Sequence, residues 1–401
     1  MNIVRLTTRI FPDKAGPAVY AYQLSKNVAN KNFNLFNVTC QPDGVKGTFR
    51  EVNSNFKIFY LPLHTPRWDE HIIKQVRFFI KFLYYSFKTL LRIHRKHRID
   101  LIHSDNPAIT GLMSVVFNRM FNIPFIYTQH GLDSHFKLNF LLEVKLISKF
   151  VSVYNIVSRR MIPFFKKNKV DAKKLMWIPV GVELNRFYHV NDPAERKRVI
   201  RELKLTSIVD SDDFIIIYVG YMDLKQKVLG MIDFLQAFKS FCETLSPTEK
   251  EKVKLLYIGD GKYRDLLNKK ILQLSLQNNV HSLGIQFQIE KFYSISNFLA
   301  LTSYMEGFPI VLLEAIASQI PCICTDVGEV NEILDGNSIV PCGNVELIIA
   351  KLIQLYHNKE ICKRIVEVSK EKIKKFDWKN LAKTFKKIYL SVIIKNRIKS
   401  S

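Results

Sequence analysis

Short apolar runs alternate with amphipathic stretches from one end of the chain to the other. In the first half, runs at 2–7, 34–40, 56–60, 100–103, 124–129, 153–158 and 175–179 predict strands. Periodicity of three to four residues between them predicts helices, for example over 17–31 and 106–121. The alternation pauses over the polar stretch 189–212 and then restarts. Phe214–Val219 reads as a buried parallel strand ending at Gly220, and Lys254–Ile258 as another ending at Gly259. Runs at 297–302 and 321–325 complete the set, with helices expected near 228–243, 262–276, 309–319 and 344–356. Strands alternating with helices predict parallel sheets, and the restart predicts two Rossmann-like halves in tandem with a cleft between them. The 189–212 segment reads as the linker and the entry to the second half. Ligands of such sheets bind beyond the carboxyl ends of the strands, so motifs at strand-to-helix turns carry the functional reading.

Composition narrows this picture. A chain of 401 residues accommodates about two domains. Hydrophobic residues at 47% and charged residues at 24% exclude a disordered chain. The formal net charge is +24, and it is unevenly placed. Residues 1–190 hold 29 Lys and Arg against 11 Asp and Glu, residues 191–377 hold 24 against 25, and residues 378–401 hold seven basic residues and no acid. The asymmetry predicts one basic face, on the first domain and the tail. The six cysteines show no metal-site spacing, and Cys322 and Cys324 lie in an apolar run, as buried free thiols of a reducing compartment would. The N-terminus enters a strand-like run without a signal-peptide pattern, and no stretch of about 18 uncharged apolar residues occurs.

The most informative motif is Glu306-Gly307-Phe308-Pro309-Ile310-Val311-Leu312-Leu313-Glu314-Ala315. Two carboxylates stand eight residues apart, the first in a Gly-containing turn and the second within a helix. Pro309 suits the first helical position, where its missing N–H costs nothing. The helix N-terminus then offers unpaired N–H groups and partial positive charge to a diphosphate. Glu306 is placed to reach a sugar hydroxyl and Glu314 a ribose.

This motif resembles that of glycosyltransferase family 4, the large retaining group with the GT-B fold, whose hallmark is an E-x7-E pattern of the form E-G-F-P-x-x-x-x-E-A. The segment Ile320–Ile333 is also similar to the family, and the likeness extends over nearly the whole chain, densest over 214–341. The resemblance implies that Glu306 contacts the donor sugar, that Glu314 contacts the nucleotide ribose, and that Phe308, Ile310 and Val311 present backbone near the diphosphate. Gly220 matches a family turn whose usual Arg is Tyr221 here, and the phosphate-pairing Lys corresponds to Lys225 or Lys227. Gly259 resembles a G-x-G turn approached by the nucleotide, and Gly284 lies in a segment whose backbone contacts the base. In the first half, Pro12–Ala18 resembles the family's P-x-x-G-G loop, of which Gly16 survives. His130, in Tyr127–Asp133, matches a position facing the reacting sugar, and a strand-end His before Gly fits a functional role. Trp177–Phe187 resembles the inter-domain stretch, with Val180 in place of the family Asn. Phe376-Asp377-Trp378 and the helix after it resemble a C-terminal segment that crosses back onto the first domain.

Residues 71–98 carry eight Lys and Arg, no acid and six Phe and Tyr. Lys74, Arg77, Lys81, Lys88, Arg92 and Arg95 recur as one face of a helix would, and apolar residues including Phe78 fill the others. That profile predicts an interfacial helix drawn to anionic lipid. The combined expectation is an α/β protein of GT-B class with an acceptor domain over 1–188, a nucleotide-sugar donor domain over 189–377 and a returning helix over 378–401. Its expected activity is transfer of a sugar from a nucleotide-diphosphate sugar, such as a UDP- or GDP-sugar, to a hydroxyl of a glycan or lipid-linked acceptor with retention. The expected setting is cell-surface polysaccharide, lipopolysaccharide or glycolipid synthesis, in the cytoplasm and peripheral on the inner face of the plasma membrane. No metal is expected, because Asp210-Ser211-Asp212-Asp213 precedes a strand instead of following one, and no nucleic-acid motif is present. The alternatives are a sugar-nucleotide epimerase of the same fold and a non-catalytic sugar-nucleotide binder.

Overall fold

The computed structural model describes every residue except 14, 67–70, 132–136 and 401, and no side chain of 137–143 or 400. Lys14 of the Pro12–Ala18 loop, and Leu132 and Asp133 of the His130 motif, lie outside the described residues. The chain divides into two compact units, one made of Met1–Val180 with Trp378–Ser401, the other of Gly181–Asp377. The second unit closes on itself at its ends, where the Val182 amide donates to the Phe376 carbonyl at 2.9 Å.

The first unit is built on one eight-stranded sheet. Its strands are β1 (Asn2–Leu6), β2 (Asn34–Cys40), β3 (Phe49–Asn53), β4 (Phe56–Leu61), β5 (Leu101–Asp105), β6 (Phe125–Gln129), β7 (Val153–Ile156) and β8 (Leu175–Trp177). They run in the order β3-β4-β2-β1-β5-β6-β7-β8, all parallel except β3, which pairs antiparallel with β4. Strands β5 and β6 are buried throughout, which is why they read as unbroken runs and not as alternation. Strand β3 was not expected. Its residues are exposed or half-buried at the sheet edge, and Phe-Arg-Glu-Val-Asn carries no apolar run to announce it.

The last helix, Trp378–Ser400, belongs to the first unit. It lies along the helix Gly16–Val28, with Tyr20 packed edge-on against Trp378 and Phe385 at ring distances of 5.5 and 6.5 Å. Arg397 pairs with Asp100 at 2.7 Å, and Lys386 donates to the Asn27 carbonyl.

Beneath this helix sits a polar cluster with no access to water. Arg5 on β1 and Asp105 on β5 form an ion pair, both fully buried. His103, the register partner of Arg5 across the β1–β5 pairing, receives Arg5 and the Tyr389 hydroxyl at Nδ1 and meets Thr128 Oγ1 at Nε2, 2.7 Å away. Arg5 has no acceptor atoms, so His103 Nδ1 is the acceptor and Nε2–H the donor. Burial, and then the Arg5 charge, hold the His103 pKa well below its ordinary value. Burial alone would raise the Asp105 carboxyl, but Arg5 and His130 reverse this and bring it to about 2.

The second unit carries a six-stranded parallel sheet of β9 (Phe214–Val219), β10 (Val253–Ile258), β11 (Val280–Ser282), β12 (Phe298–Leu301), β13 (Cys322–Thr325) and β14 (Ile339–Val340). The order is β11-β10-β9-β12-β13-β14. The two edge strands are three and two residues long, too short to leave a periodic signal. The stretch 189–212, read as a linker, instead contains a helix, Pro193–Glu202. Asp192 caps it, accepting from the Glu195 amide at 2.8 Å, and Arg196 ties it to the carbonyls of Ser211, Asp213 and Ile295. Only Val199 and Ile200 of this helix are buried, which explains its weak pattern. Cys322 and Cys324 are buried free thiols, and burial raises both pKa values.

The His103 cluster predicts a pH dependence. His103 is held neutral in the fold but takes up a proton in the unfolded chain below about pH 6.5, so it stabilises the fold above that pH and the stability is lost as pH falls. The tryptophans among the described residues, Trp177 and Trp378, belong to the first unit, so their fluorescence follows its unfolding. Denaturant titrations from about pH 7 to 5 should show stability falling with pH, and His103→Gln should remove up to about 1.4 kcal/mol per pH unit of that slope. An unaltered slope would show that His103 does not titrate this way.

Candidate active site

In each sheet the chain works outward from one strand and then returns to that strand's other side. In the second unit the order runs from β9 through β10 to β11, and β12 then returns to β9. The switch point therefore lies beyond the carboxyl ends of β9 and β12, where ligands of such sheets bind. The structure gathers most of the expected donor residues there.

Gly220 follows β9, and the Gly259 amide, just after β10, donates to the Gly284 carbonyl at 2.9 Å. Gly259 has φ +138°, and a Cβ on it would lie 1.9 Å from the Gly220 carbonyl oxygen. Only glycine lets these two turns approach so closely.

The helix after Gly220 spans Lys225–Glu243 and starts earlier than the expected 228. Lys225 and Lys227 therefore lie in its first turn, not in a loop. Gly230 sets the position of this helix, since a Cβ there would stand 2.0 Å from the Thr302 carbonyl oxygen. The Thr302 hydroxyl donates to the Gly230 carbonyl at 2.6 Å. With the helix pressed against the end of β12, Lys227 Nζ reaches Glu306 Oε2 at 2.9 Å. Their side chains are only 24% and 11% exposed. Lys225 is exposed on the same turn.

The Glu306 turn is supported from beneath, the Glu329 amide donating to the Gly307 carbonyl at 3.2 Å. Phe308 buries its ring edge-on against Phe376 at 5.1 Å, which leaves its backbone as the part available to a ligand. Pro309 is the residue preceding the helix Ile310–Ala317, one position earlier than expected, and no side chain caps that N-terminus. Ile310 and Val311 open the helix. Glu314, its fifth residue, accepts from the Tyr293 hydroxyl, which stands 3.2 Å from Glu314 Oε2 and from the Val311 carbonyl. Burial, then the Glu314 charge, raises the Tyr293 pKa well above its ordinary value, so the phenol remains a donor.

In the first unit the switch point lies between β1 and β5, since β2 and β4 go one way from β1 and β5 to β7 the other. Asp105 ends β5 and His130 follows β6. His130 Nε2 stands 3.2 Å from Asp105 Oδ1, and the His130 amide donates to Asn106 Oδ1 at 3.1 Å. The Tyr20 ring packs edge-on to the imidazole at 4.7 Å. Gly16 opens the helix that carries Tyr20.

Sequence reasoning missed Arg5, Tyr20 and Asp105. The signal was an arginine inside an otherwise apolar strand, Asn2-Ile3-Val4-Arg5-Leu6, because a charge in a doubly covered strand demands a buried partner. Asp210–Asp213 forms a local turn in which Asp213 Oδ2 accepts from the Asp210 amide and Asp212 pairs with Lys252. Among the described residues, no group of three or more His, Cys, Asp and Glu is arranged to hold a metal.

The basic helix spans Ile72–His97 and turns Phe82, Ser86, Leu90 and Ile93 inward. Lys74, Arg77, Lys81, Lys88, Arg92 and Arg95 are all exposed, and a parallel row of apolar residues is exposed beside them. Ile73, Val76, Ile80 and Tyr84 are 68, 52, 62 and 60% exposed. Phe78, expected on this face, is half-buried against Phe82 instead. Farther along, Leu83, Phe87 and Leu91 with Met113 and Val116 line a surface hollow of about 520 Å³. No helix among the described residues is long and apolar enough to cross a membrane.

Comparison with known proteins agrees with this architecture. Residues 200–372 match the family of glycosyl transferases group 1, and residues 15–186 match Glycosyltransferase Family 4. A putative teichuronic acid biosynthesis glycosyltransferase of Bacillus subtilis is 27% identical over 243 residues, spanning 58% of this chain and 55% of that protein. The chain thus matches little more than half the length of that relative. UDP-Gal:alpha-D-GlcNAc-diphosphoundecaprenol alpha-1,3-galactosyltransferase of Escherichia coli is 24% identical, spanning 80% of this chain and 78% of that one. Among solved structures, sucrose-phosphate synthase from Thermosynechococcus elongatus superposes with a TM-score of 0.82 at 20% identity, over 98% of this chain and 100% of that one. The fold is GT-B, and the chain belongs to glycosyltransferase family 4.

Proposed function

We propose that the protein transfers a glycosyl group from a nucleoside diphosphate sugar to a hydroxyl of a glycan or lipid-linked acceptor, with retention of anomeric configuration. The observation that carries this reading is the convergence of Lys227 and Glu306, 79 residues apart in sequence, beside an uncapped helix N-terminus at the switch point of the second sheet. A cation and a helix N-terminus together suit a diphosphate, and a carboxylate beside them suits sugar hydroxyls.

In this reading the bond from the anomeric carbon to the diphosphate oxygen breaks as the acceptor oxygen bonds to that carbon on the same face. The acceptor proton passes to the departing phosphate oxygen. Negative charge grows on the diphosphate, where Lys227, Lys225 and the N–H groups of Ile310 and Val311 stabilise it without a metal. Phosphate binding draws Lys227 away from Glu306, which then takes a sugar hydroxyl, while Glu314 takes the ribose. The turns at Gly220, Gly259 and Gly284 admit the nucleotide backbone-close. His130, which follows β6, is assigned to the reacting sugar by its match to the family position, and Gly16 to the donor by its match to the family loop. The name of the Escherichia coli relative specifies a UDP-sugar and a lipid diphosphate, which supports a donor and acceptor of those classes.

The Ile72–His97 helix supports the acceptor side of the reading. Its adjacent apolar and basic rows suit the interface of an anionic membrane, the apolar row entering among acyl chains and the basic row meeting head groups. The protein then works as a peripheral enzyme at a cytoplasmic membrane face, in the synthesis of surface polysaccharide, lipopolysaccharide or glycolipid.

Two outcomes test this. Glu306→Ala and His130→Ala should each lower turnover by about 100-fold or more with the true donor, measured as acceptor-dependent nucleotide release. Near-native rates in both would remove these residues from the chemistry. In flotation, the protein should bind vesicles containing phosphatidylglycerol but not neutral ones. Replacing Lys74, Arg77 and Lys81 together by Gln should weaken binding by about 100-fold, at about 1 kcal/mol per cation. Equal binding to both vesicle types, or to neither, would contradict the membrane reading.

A further inference from the structure

The transfer chemistry outlined above leaves the buried pair of Arg5 and Asp105 unused, and of the two it is the carboxylate that reaches His130. We propose that Asp105 is a positioning residue that fixes His130 as the Nε2–H tautomer, so that Nδ1 is the lone-pair atom presented to a ligand hydroxyl. This deepens the reading of His130 above and rests on it for its functional meaning, while the geometry stands apart from it.

Asp105 is fully buried, and its two oxygens have separate partners. Oδ2 receives Arg5, and Oδ1 stands 3.2 Å from His130 Nε2. The Arg5 charge holds the carboxyl ionised against the effect of burial. An ionised carboxylate only accepts hydrogen bonds, so Nε2 must carry the proton. In a neutral imidazole the other nitrogen is then the acceptor. The remaining titratable groups around the pair, among the described residues, are His103 on β5 and Tyr20 and Tyr389 on the two flanking helices. Burial keeps all three uncharged, so none competes with Arg5 for Asp105.

The ring plane is fixed independently of the proton. Tyr20 meets the imidazole at 79°, and Trp378 and Arg5 in turn pack on Tyr20 at 5.5 and 5.2 Å. The closing helix thereby supports the ring that supports His130. A histidine held this way accepts from a hydroxyl and offers nothing at Nδ1 to a phosphate oxygen. It therefore selects the sugar and not the diphosphate part of a donor.

The test is nitrogen-15 NMR of the full chain labelled at histidine, with the His130 signals assigned by their loss in His130→Gln. The wild type should show a protonated Nε2 and an unprotonated Nδ1. Asp105→Asn should populate the Nδ1–H tautomer and lower kcat at least tenfold with the donor KM within about twofold, as loss of an orienting carboxylate does elsewhere. A wild-type His130 protonated at Nδ1, or a tautomer unchanged in Asp105→Asn, would overturn the proposal. Should Asp105→Asn fail to fold, the wild-type tautomer decides alone. A changed tautomer with unchanged turnover would sustain the positioning and sink the catalytic reading of His130.

Discussion

The buried polar cluster of the first unit depends on the pair of Arg5 and Asp105. Removing either partner from such a pair leaves a charge in a medium that cannot solvate it, at a cost of about 3 to 5 kcal/mol. The pair links the switch-point strands β1 and β5, and every other polar group in the cluster takes its direction from it. Arg5 cannot accept, so His103 must. Asp105 cannot donate, so His130 must. The closing helix completes the enclosure with Tyr389 above His103 and Trp378 above Tyr20. The chain therefore returns to its first unit to seal this cluster from water, and a cluster left open would exchange its directed hydrogen bonds for solvent.

The second unit solves a different problem. Its candidate site is built from backbone approach more than from buried charge. Gly230 and Gly259 allow elements to meet at distances no side chain permits, and Lys227 reaches Glu306 because of that approach. The Lys227–Glu306 pair is partly exposed, so water screens it and a phosphate can compete for the lysine. A permanent buried pair holds the cluster of the first unit rigid, and an exchangeable pair leaves the Glu306 turn of the second open to competition. The net charge follows the same division, with the excess on the first unit and its returning helix, and near balance on the second.

Much of this was legible in the sequence, for physical reasons that differ by element. Buried parallel strands such as Phe214–Val219 and the β6 run announce themselves because both faces are covered. The Glu306–Glu314 motif was legible because a Gly-Phe-Pro turn before an apolar helix has few other uses. The helix Pro193–Glu202 was hidden because two buried residues make no periodic stripe, and β11 and β14 because two or three residues make no run. Lys225 and Lys227 fell outside the helix expected near 228–243 because its start carries no side-chain cap to mark it. Asp105 escaped because its partner lies 100 residues away in sequence and only the β1–β5 register joins them. The six cations expected along one face of the basic helix are all exposed. Its apolar row was misplaced at Phe78, since only packing reveals which aromatic turns inward.

The central claim is that the second unit holds a nucleoside diphosphate sugar. Thermal denaturation of the intact chain against UDP-, GDP-, ADP- and CMP-sugars addresses it most directly. A ligand that binds only the folded state stabilises by about 2.7 kcal/mol at a hundredfold excess over its Kd. The account predicts that sugars of one base raise the midpoint of the second unit by several degrees, and that Lys227→Met abolishes the rise. No rise with any of them, at millimolar concentration and with the chain folded, would contradict it.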